Sequence, residues 1–145
     1  MNQQKRLVVD ANILLRAVFG VRVFSLLELY EDQVLFSTPD ACFQEALRHI
    51  PPIAAQKSLD SDEGTEILHQ VSQFVQPVDK SFYEDFEGAA RARIERRDPN
   101  DWPIVATALL LNAPIWTEDY DFFGCGIATW TSDRVEIYLR NPSEP

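Results

Sequence analysis

Short extended segments alternate with longer helix-like segments along this chain, and this alternation constrains the fold more than any other feature. Extended segments are predicted at residues 6–10, 33–38, 74–78, 113–119, 126–131 and 134–139. Helical periodicity is predicted at residues 13–18, 23–30, 38–50, 56–74, 79–94 and 103–113. Strand–helix–strand alternation is typical of a parallel sheet with helices on both faces. We therefore predict an α/β fold with a central, mostly parallel sheet.

The length of the chain, 145 residues, is that of one ordinary domain. No Pro-, Gly- or Ser-rich linker, internal repeat or low-complexity tract divides it, so we expect a single domain over residues 1–145. The short polar N-terminus lacks the charged-then-apolar pattern of a signal sequence. No apolar run approaches the roughly 18 residues of a membrane span. We therefore expect a cytoplasmic protein without membrane contact.

The net charge of the chain is strongly negative, at −10. Taken alone, this charge argues against a nucleic-acid binder, because phosphate contacts normally need a basic surface. A cluster of carboxylates can nevertheless exist to hold divalent cations, which invert the local electrostatics. Four arginines within seven positions form either a solvated helix face or a phosphate-binding edge: Arg91, Arg93, Arg96 and Arg97.

The cysteines and histidines exclude several chemistries. Cys42 and Cys125 lie far apart and without CxxC spacing, which argues against a disulfide scaffold and a structural zinc site. His49 and His69 are the only histidines, so a His-centred catalytic triad is poorly supported. Among the tryptophans, we expect Trp116 in the core.

Prolines mark two helix boundaries in the sequence. The helix at residues 38–50 is predicted to begin with Thr38 as its N-cap and Pro39 at its first position. It is predicted to stop before Pro51, because the residue before a proline is pushed out of helical space. For the helix near residue 103, a start with Asn100 as the cap places Pro103 in the first turn, where proline causes no clash.

Two acidic residues lie at the carboxyl ends of predicted strands. Asp10 comes after the apolar residues 7–9, and Asp119 comes after the strand that contains Trp116. Ligands of parallel α/β sheets bind outside the carboxyl ends of the strands, so both carboxylates are expected at the same edge. The alternative for Asp10 is a cap of the following helix, and the alternative for Asp119 is an acidic loop.

Four further acids lie near the ends or faces of predicted elements. Glu45 borders the apolar stripe of its helix, and the small residues one turn back leave its carboxylate accessible. The alternative is a surface glutamate that pairs with Arg48 or His49. Asp101 lies in the first turn of a helix, where the helix dipole also favours a carboxylate by about 0.3–1 kcal/mol. Asp98 belongs to the preceding turn. Asp121 is expected to share a face with Asp119, because alternate residues of an extended segment do so.

The best-placed acids, taken together, indicate a cation site. Such a cluster repels itself unless it binds something positive, and oxygen-only ligands suit Mg²⁺ or Mn²⁺. A divalent cation can activate water for hydrolysis of a phosphodiester. The four acids are Asp10, Glu45, Asp101 and Asp119.

Several segments resemble the successive motifs of the PIN domain family, particularly bacterial VapC-type toxin ribonucleases. They are "LVVDANILLRA", "TPDACFQEALRH" and "DPNDWPIVATALLLNAPIWTEDYDF". Their order and spacing agree with the family over nearly the whole chain. The acid before an "ATA"-type helix, followed by a strand that ends in Thr-x-Asp-x-Asp-Phe, is the most specific part of the resemblance.

The resemblance implies a PIN-like three-layer α/β/α sandwich and a metal-dependent nuclease that acts mostly on RNA. It implies one or two Mg²⁺ or Mn²⁺ ions, and products with a 5′-phosphate and a 3′-hydroxyl. Homodimers are common in the family, and toxin members have an antitoxin partner. The four acids named above would be the catalytic, metal-binding residues.

The resemblance also implies supporting residues around these acids. Asp98 and Asp121 would be supporting acids, and Asn12 and Thr117 match polar positions that orient the first and last acids or the bound water. Both Asp98 and Asp101 are candidates for the principal ligand before the helix. Asp101 is favoured because it stands at the family's distance from the "ATA" segment. The arginine run at residues 91–97 would then be a candidate RNA contact.

Three alternative functions compete with a nuclease on the sequence. A haloacid-dehalogenase-type phosphatase normally begins with Asp-x-Asp, whereas this chain has "DAN", and its last lysine is Lys80. A phospho-accepting receiver domain is disfavoured by the same missing late lysine. A PIN-like protein that binds a partner or RNA without cleaving is the other alternative, although all four acids are present. Trp102, beside Asp101, is the only tryptophan with a position that suits a substrate contact, although a place in the core is favoured for it too.

Overall fold

The computed structural model describes residues 4–140, and a parallel sheet forms its centre. The five strands found in this part of the chain are β1 (Lys5–Val9), β2 (Val34–Pro39), β3 (Val75–Val78), β4 (Ile115–Trp116) and β5 (Thr129–Trp130). Their order across the sheet is β3-β2-β1-β4-β5, and every pairing is parallel. The prediction of a mostly parallel sheet is confirmed.

Helices cover both faces of this sheet. The α-helices within residues 4–140 are α1 (Ala11–Phe19), α2 (Arg22–Tyr30), α3 (Asp40–Gln56), α4 (Ser61–Val71), α5 (Lys80–Tyr83), α6 (Glu87–Arg93), α7 (Trp102–Leu111) and α8 (Val135–Arg140). Short 3₁₀ turns occur at Glu84–Phe86, Pro99–Asp101 and Tyr120–Phe122. None of these helices is long and apolar enough to cross a membrane.

The alternating side chains of β1 divide the core into two layers. Leu7 and Val9 pack in one hydrophobic cluster with α1, α2, α3, α4 and α8. Val8 faces the opposite way and packs in a second cluster with α5, α6 and α7. All three side chains are fully buried, as expected for a central strand covered on both faces. This arrangement is the predicted three-layer α/β/α sandwich.

The register of the sheet decides which residues meet at its carboxyl edge. Val9 of β1 is paired with Trp116 of β4. The next residues on these adjacent parallel strands, Asp10 and Thr117, therefore emerge side by side. Trp116 is fully buried, as predicted, and its indole Nε1 donates to Ser132 Oγ at 3.1 Å.

The predicted bounds of α3 are wrong at both ends. Thr38 belongs to β2, and its Oγ1 donates to the Val9 carbonyl at 2.7 Å instead of capping the helix. Pro39 occupies the N-cap position, and α3 continues through Pro51 and Pro52 to Gln56. The two prolines are exposed, so water can bond the carbonyls that lose their helical donors. Burial of the residues on the inner face of α3 holds this part of the helix to the core.

Two other predicted elements differ from the structure. Residues 134–139 were expected to be extended, but Val135–Arg140 is a helix whose buried residues, Val135 and Leu139, lie one turn apart. The predicted helix at residues 79–94 is interrupted by the 3₁₀ turn Glu84–Phe86. The apolar residues at 135, 137 and 139 fit both a strand period and a helix face, so the pattern alone could not separate the two.

Candidate active site

Three of the four predicted acids line one small cavity at the carboxyl edge of the sheet. The cavity has a volume of about 40 Å³, more than the roughly 10–15 Å³ that one water molecule needs. Its lining consists of Asp10, Ala41, Cys42, Glu45, Asn100, Asp101, Pro103 and Ile104. Asp119 does not line the cavity, but its charge acts on both Asp10 and Asp101. The fold thus brings the predicted acids into one region.

Asp10 is the most firmly held of these acids. Its Oδ1 accepts from the Ala11 backbone N–H at 2.7 Å, and its Oδ2 accepts from Thr117 Oγ1 at 2.7 Å and Asn12 Nδ2 at 3.1 Å. Burial raises the pKa of Asp10, the bonds from Thr117 and Ala11 oppose that rise, and the charge of Glu45 adds to it. Asp10 therefore stands at the N-cap of α1 and lines the cavity at the same time.

A hydrogen-bond network joins Asp10 to Asp119 through the two predicted orienting residues. Thr117 Oγ1 accepts from the Asp119 backbone N–H at 3.0 Å and from Asn12 Nδ2 at 3.2 Å. Asn12 Oδ1 accepts from the Glu118 N–H at 3.2 Å. Thr117 is buried, so its hydroxyl is held without competition from bulk water. These contacts are the geometry that an orienting role for Asn12 and Thr117 requires.

Asp98 and Asp101 occupy different positions around α7. Asp98 accepts from the Asn100 N–H at 3.0 Å and caps the 3₁₀ turn Pro99–Asp101. The prediction of Asn100 as the helix cap is therefore wrong, because this extra turn carries the chain into α7 and Asp101 takes the N-cap position. The carboxylate of Asp101 makes no capping bond there. It is left to line the cavity.

The pKa of Asp101 shows how closely the acids interact. Burial, followed by the charges of Asp10, Asp98, Asp119 and Glu45, raises this pKa to about 7. A carboxylate surrounded in this way is costly to ionise unless a positive charge is nearby. A bound cation would therefore favour the ionised form of Asp101 in this cluster.

Glu45 faces the cavity from α3. The residues beside it on the helix, Cys42 and Ala46, are buried, whereas Glu45 itself is exposed. Within residues 4–140, no ion pair joins Glu45 to Arg48 or His49. The small side chains one turn back leave its carboxylate accessible, as the sequence predicted.

Asp121 lies in a 3₁₀ turn and not in an extended segment with Asp119. The chain leaves β4 after Trp116 and forms the 3₁₀ turn Tyr120–Phe122, in which Asp119 Oδ1 accepts from the Asp121 N–H at 2.9 Å. The prediction that Asp119 and Asp121 are alternate residues of one extended segment is wrong, because the chain enters this turn directly after Asp119. The Asp121 carboxylate is exposed and lies 4.0 Å from Arg97.

Most of the arginines at residues 91–97 form contacts within the protein. Arg91 forms an ion pair of 2.7 Å with Glu87 and lies over the Trp102 ring. Arg93 Nη1 donates to the Cys125 carbonyl at 2.9 Å. Arg97 donates to the carbonyls of the turn that follows Asp119. Arg96 is exposed. Three of the four predicted RNA contacts are therefore engaged with the protein itself.

Several neighbours of the site carry no motif of their own in the sequence. Glu118 Oε1 accepts from the Ser132 N–H at 2.6 Å, which fastens the end of β4 to the loop after β5. The buried thiol of Cys42 lies 3.8 Å from Asp10 Oδ1. The position of Glu118 between Thr117 and Asp119 is the only signal that could have indicated it.

The carboxylate oxygens of the site fit a hard divalent cation, but the side chains do not surround a common point closely enough to coordinate one. Carboxylate oxygens are the ligands that Mg²⁺ and Mn²⁺ prefer, and a bound cation would oppose the burial and the negative charges that raise the pKa of Asp101. Among residues 4–140, no three Asp, Glu, His or Cys side chains are grouped tightly enough to hold an ion as they stand. Binding would therefore require the carboxylates to move towards each other.

The cavity lining also bears on the competing functions. Neither a lysine nor a histidine is among the described residues that line it. Lys80, the last lysine of the chain, extends over the Trp102 ring instead, with its Nζ 6.0 Å from the ring centre. Trp102 is buried against Tyr83 and packs in the core. The lysine that a phosphatase or receiver site normally uses is not supplied by the described lining.

Solved structures with a similar fold include the following three. The VapBC2 complex from Rickettsia felis, bound to a DNA fragment from its promoter, is 16% identical with a TM-score of 0.69, and covers 87% of this chain and 98% of that chain. FitAcB from Neisseria gonorrhoeae is 16% identical with a TM-score of 0.58, over 87% and 97% of the two chains. VapBC-1 from nontypeable Haemophilus influenzae is 13% identical with a TM-score of 0.57, over 89% and 99%. At these identities, the likeness concerns the fold alone.

The sequence comparison identifies the family. No curated protein matches the chain in sequence. The family model described as the PIN domain matches residues 8–140, a span that includes most of the sheet, the acid-lined cavity and the Asn12–Thr117 network. The resemblance stated from the motifs is therefore confirmed, and the chain belongs to the PIN domain family.

Proposed function

We propose that this protein is a ribonuclease that depends on Mg²⁺ or Mn²⁺ and hydrolyses RNA phosphodiesters. Proteins of the PIN domain family are generally nucleases. The observation that best supports the proposal is the convergence of Asp10, Glu45 and Asp101 on one cavity, where burial and the charges of the neighbouring carboxylates raise the pKa of Asp101. A divalent cation would relieve this repulsion and keep the acids ionised at neutral pH.

Some residues of the site would bind the ion, and others would hold its ligands in position. Asp10, Glu45, Asp101 and Asp119 would bind one or two ions. The ion would activate water for attack on phosphorus and stabilise the leaving oxygen. Thr117 and Asn12 would keep the Asp10 carboxylate in one orientation through the bonds to its Oδ2.

The other acids would act from outside this group. Asp98 raises the pKa of Asp101 by its charge and caps the turn before it. Asp121 braces the turn after Asp119 through Arg97. Both would support the ligands without binding the ion directly.

The proposal extends to the setting of the enzyme. The solved structures with a similar fold include VapBC complexes, which supports an antitoxin protein as the partner of this chain and a role as the toxin of such a pair. We propose that the single domain works as a homodimer in the cytoplasm.

The proposed activity is tested by cleavage of mixed-sequence single-stranded RNA with Mg²⁺, with Mn²⁺ and with EDTA. We expect cleavage with either ion, no cleavage with EDTA, and products that carry a 5′-phosphate. Cleavage that persists in EDTA would refute the metal dependence. Measurable RNA binding without cleavage under any metal condition would instead favour the binding protein as the function.

A further inference from the structure

Two aromatic rings next to the acid cluster are exposed to solvent. Tyr120 is 67% exposed and Phe123 is 52% exposed, and both follow Asp119 within four positions. Their ring centres are 5.4 Å apart and their planes are inclined at 59°. We propose that this aromatic pair, Tyr120 and Phe123, stacks the unpaired bases of a single-stranded nucleic acid beside the acid cluster. The inference rests on the proposed nuclease function and specifies how that site would bind its substrate.

The backbone that carries the aromatic pair is firmly held. The Phe123 N–H donates to the Tyr120 carbonyl at 3.0 Å, and Arg97 donates to the carbonyls of both residues. Phe122, between the two rings, is buried and anchors the turn in the core. The turn ends at Gly124, whose φ of +90° favours glycine. A platform ordered before binding loses little further conformational entropy when a ligand arrives.

The charges around the aromatic pair favour bases over phosphates as the contacting groups. Asp119 and Asp121 stand on either side of Tyr120, and the nearby guanidinium of Arg97 already serves the turn carbonyls and Asp121. A phosphate-tracking groove needs free positive charge, whereas the face of a base is uncharged and stacks on an aromatic ring regardless of its sequence. Stacking would thus let a chain with a net charge of −10 retain RNA beside its acids.

The same argument selects single strands. Bases in a duplex are stacked on each other and are not available to a side chain, whereas unpaired bases can be splayed onto aromatic rings. The aromatic pair therefore favours unpaired segments as substrate, with one or two bases held next to the phosphate at the acid cluster.

The test is the affinity of the protein for RNA, measured by fluorescence anisotropy in an Asp10→Asn background so that the strand stays intact. The probes are a labelled mixed-sequence oligoribonucleotide, its duplex, and a strand of equal length made of abasic sites. The variants are Tyr120→Ala, Phe123→Ala and Tyr120→Trp. Leu29→Ala is the matched control, because Leu29 is 65% exposed and lies near the end of α2, close to the opposite edge of the sheet.

We expect each alanine variant to raise the Kd for the single strand by roughly 5- to 150-fold, the range for one lost base stack. Tyr120→Trp and Leu29→Ala should bind like the parent, and the parent should bind the abasic strand and the duplex more weakly. Equal Kd values for the parent and both alanine variants, or no preference over the abasic strand, would overturn the proposal. So would alanine variants that keep RNA affinity but lose a protein partner.

Cleavage assays on the same variants in the Asp10 background separate this inference from the proposed function. Ring-dependent RNA binding by a protein that never cleaves would remove the nuclease and leave the platform standing. Metal-dependent cleavage whose KM is unaffected by Tyr120→Ala and Phe123→Ala would support the nuclease and remove the aromatic platform.

Discussion

Replacement of Asp10 by asparagine is expected to reduce RNA cleavage by about 1000-fold, because a catalytic cation supplies several kcal/mol of transition-state stabilisation. The fold should survive. Asparagine keeps an oxygen that can accept from the Ala11 N–H, and it removes a buried charge whose cost is seen in the raised pKa of Asp10. The measurement is the single-turnover cleavage rate at saturating Mg²⁺, together with the midpoint of thermal unfolding.

Asp32→Asn is the matched control for this substitution. Asp32 is an exposed acid in the turn between α2 and β2, at the amino edge of the sheet, and its replacement should leave the cleavage rate unchanged. An Asp10→Asn protein that cleaves at the parent rate would place the active site elsewhere. Loss of activity together with unfolding would mean that Asp10 acts mainly as the cap of α1.

Removal of metal is expected to make the folded state lose stability as the pH rises from about 4 to about 7. The pKa of Asp101 is raised from 3.8 to about 7 in the folded protein, so the folded state binds more protons than the unfolded state between these values. The stabilisation is fully present below pH 3.8 and is lost as the pH rises through 7. Because Asp101 is half-buried and screened by solvent, we expect only about 1–2 kcal/mol.

The measurement is the unfolding temperature in EDTA at several pH values, for the parent and Asp101→Asn. The unfolding temperature of the parent should fall by about 3–6 °C more than that of the variant over this range. Addition of Mg²⁺ or Mn²⁺ at pH 7.5 should restore the stability that the parent has lost. Identical pH profiles for the two proteins would contradict the raised pKa. A parent that is not stabilised by either ion at pH 7.5 would contradict the electrostatic account of the cluster.

Much of the fold was predictable because local pattern and tertiary packing agree. Residues 7–9 are apolar, two of them are β-branched valines, and all three lie in the central strand, where both faces are buried. The α3 prolines show the opposite case. A local rule predicted that the helix would stop, but burial of Ile50 and Ala54 on its inner face outweighs the two missing backbone donors on the outer face.

The C-terminal helix α8 depended on contacts that no local pattern contains. Its Tyr138 hydroxyl donates to the Arg6 carbonyl at 2.7 Å, and its Glu136 accepts from the Tyr30 hydroxyl at 2.9 Å. These partners lie more than a hundred positions away in the chain. The alternating apolar residues of this segment are compatible with a strand until such contacts are known.

The candidate site could be predicted where it depends on topology and could not where it depends on turns. Asp10 and Thr117 meet because they follow paired strands, and the common edge of parallel strands was expected from the sequence. Asp121 and Asn100 were misplaced because each lies in or next to a 3₁₀ turn whose direction is set by local hydrogen bonds. The exposure of Tyr120 and Phe123 has the same origin, since Phe122 alone of the three aromatic residues turns inward.

The most direct test of the central claim, that the clustered acids exist to hold a divalent cation, is calorimetric titration of Mn²⁺ into the metal-free protein at pH 7.5. We predict saturable binding of one or two ions per chain, weakened at least about tenfold by either Asp10→Asn or Asp101→Asn and unchanged by Asp32→Asn. Absence of saturable binding, or binding that neither site substitution weakens, would contradict the claim and leave the acids as helix caps and solvated turns.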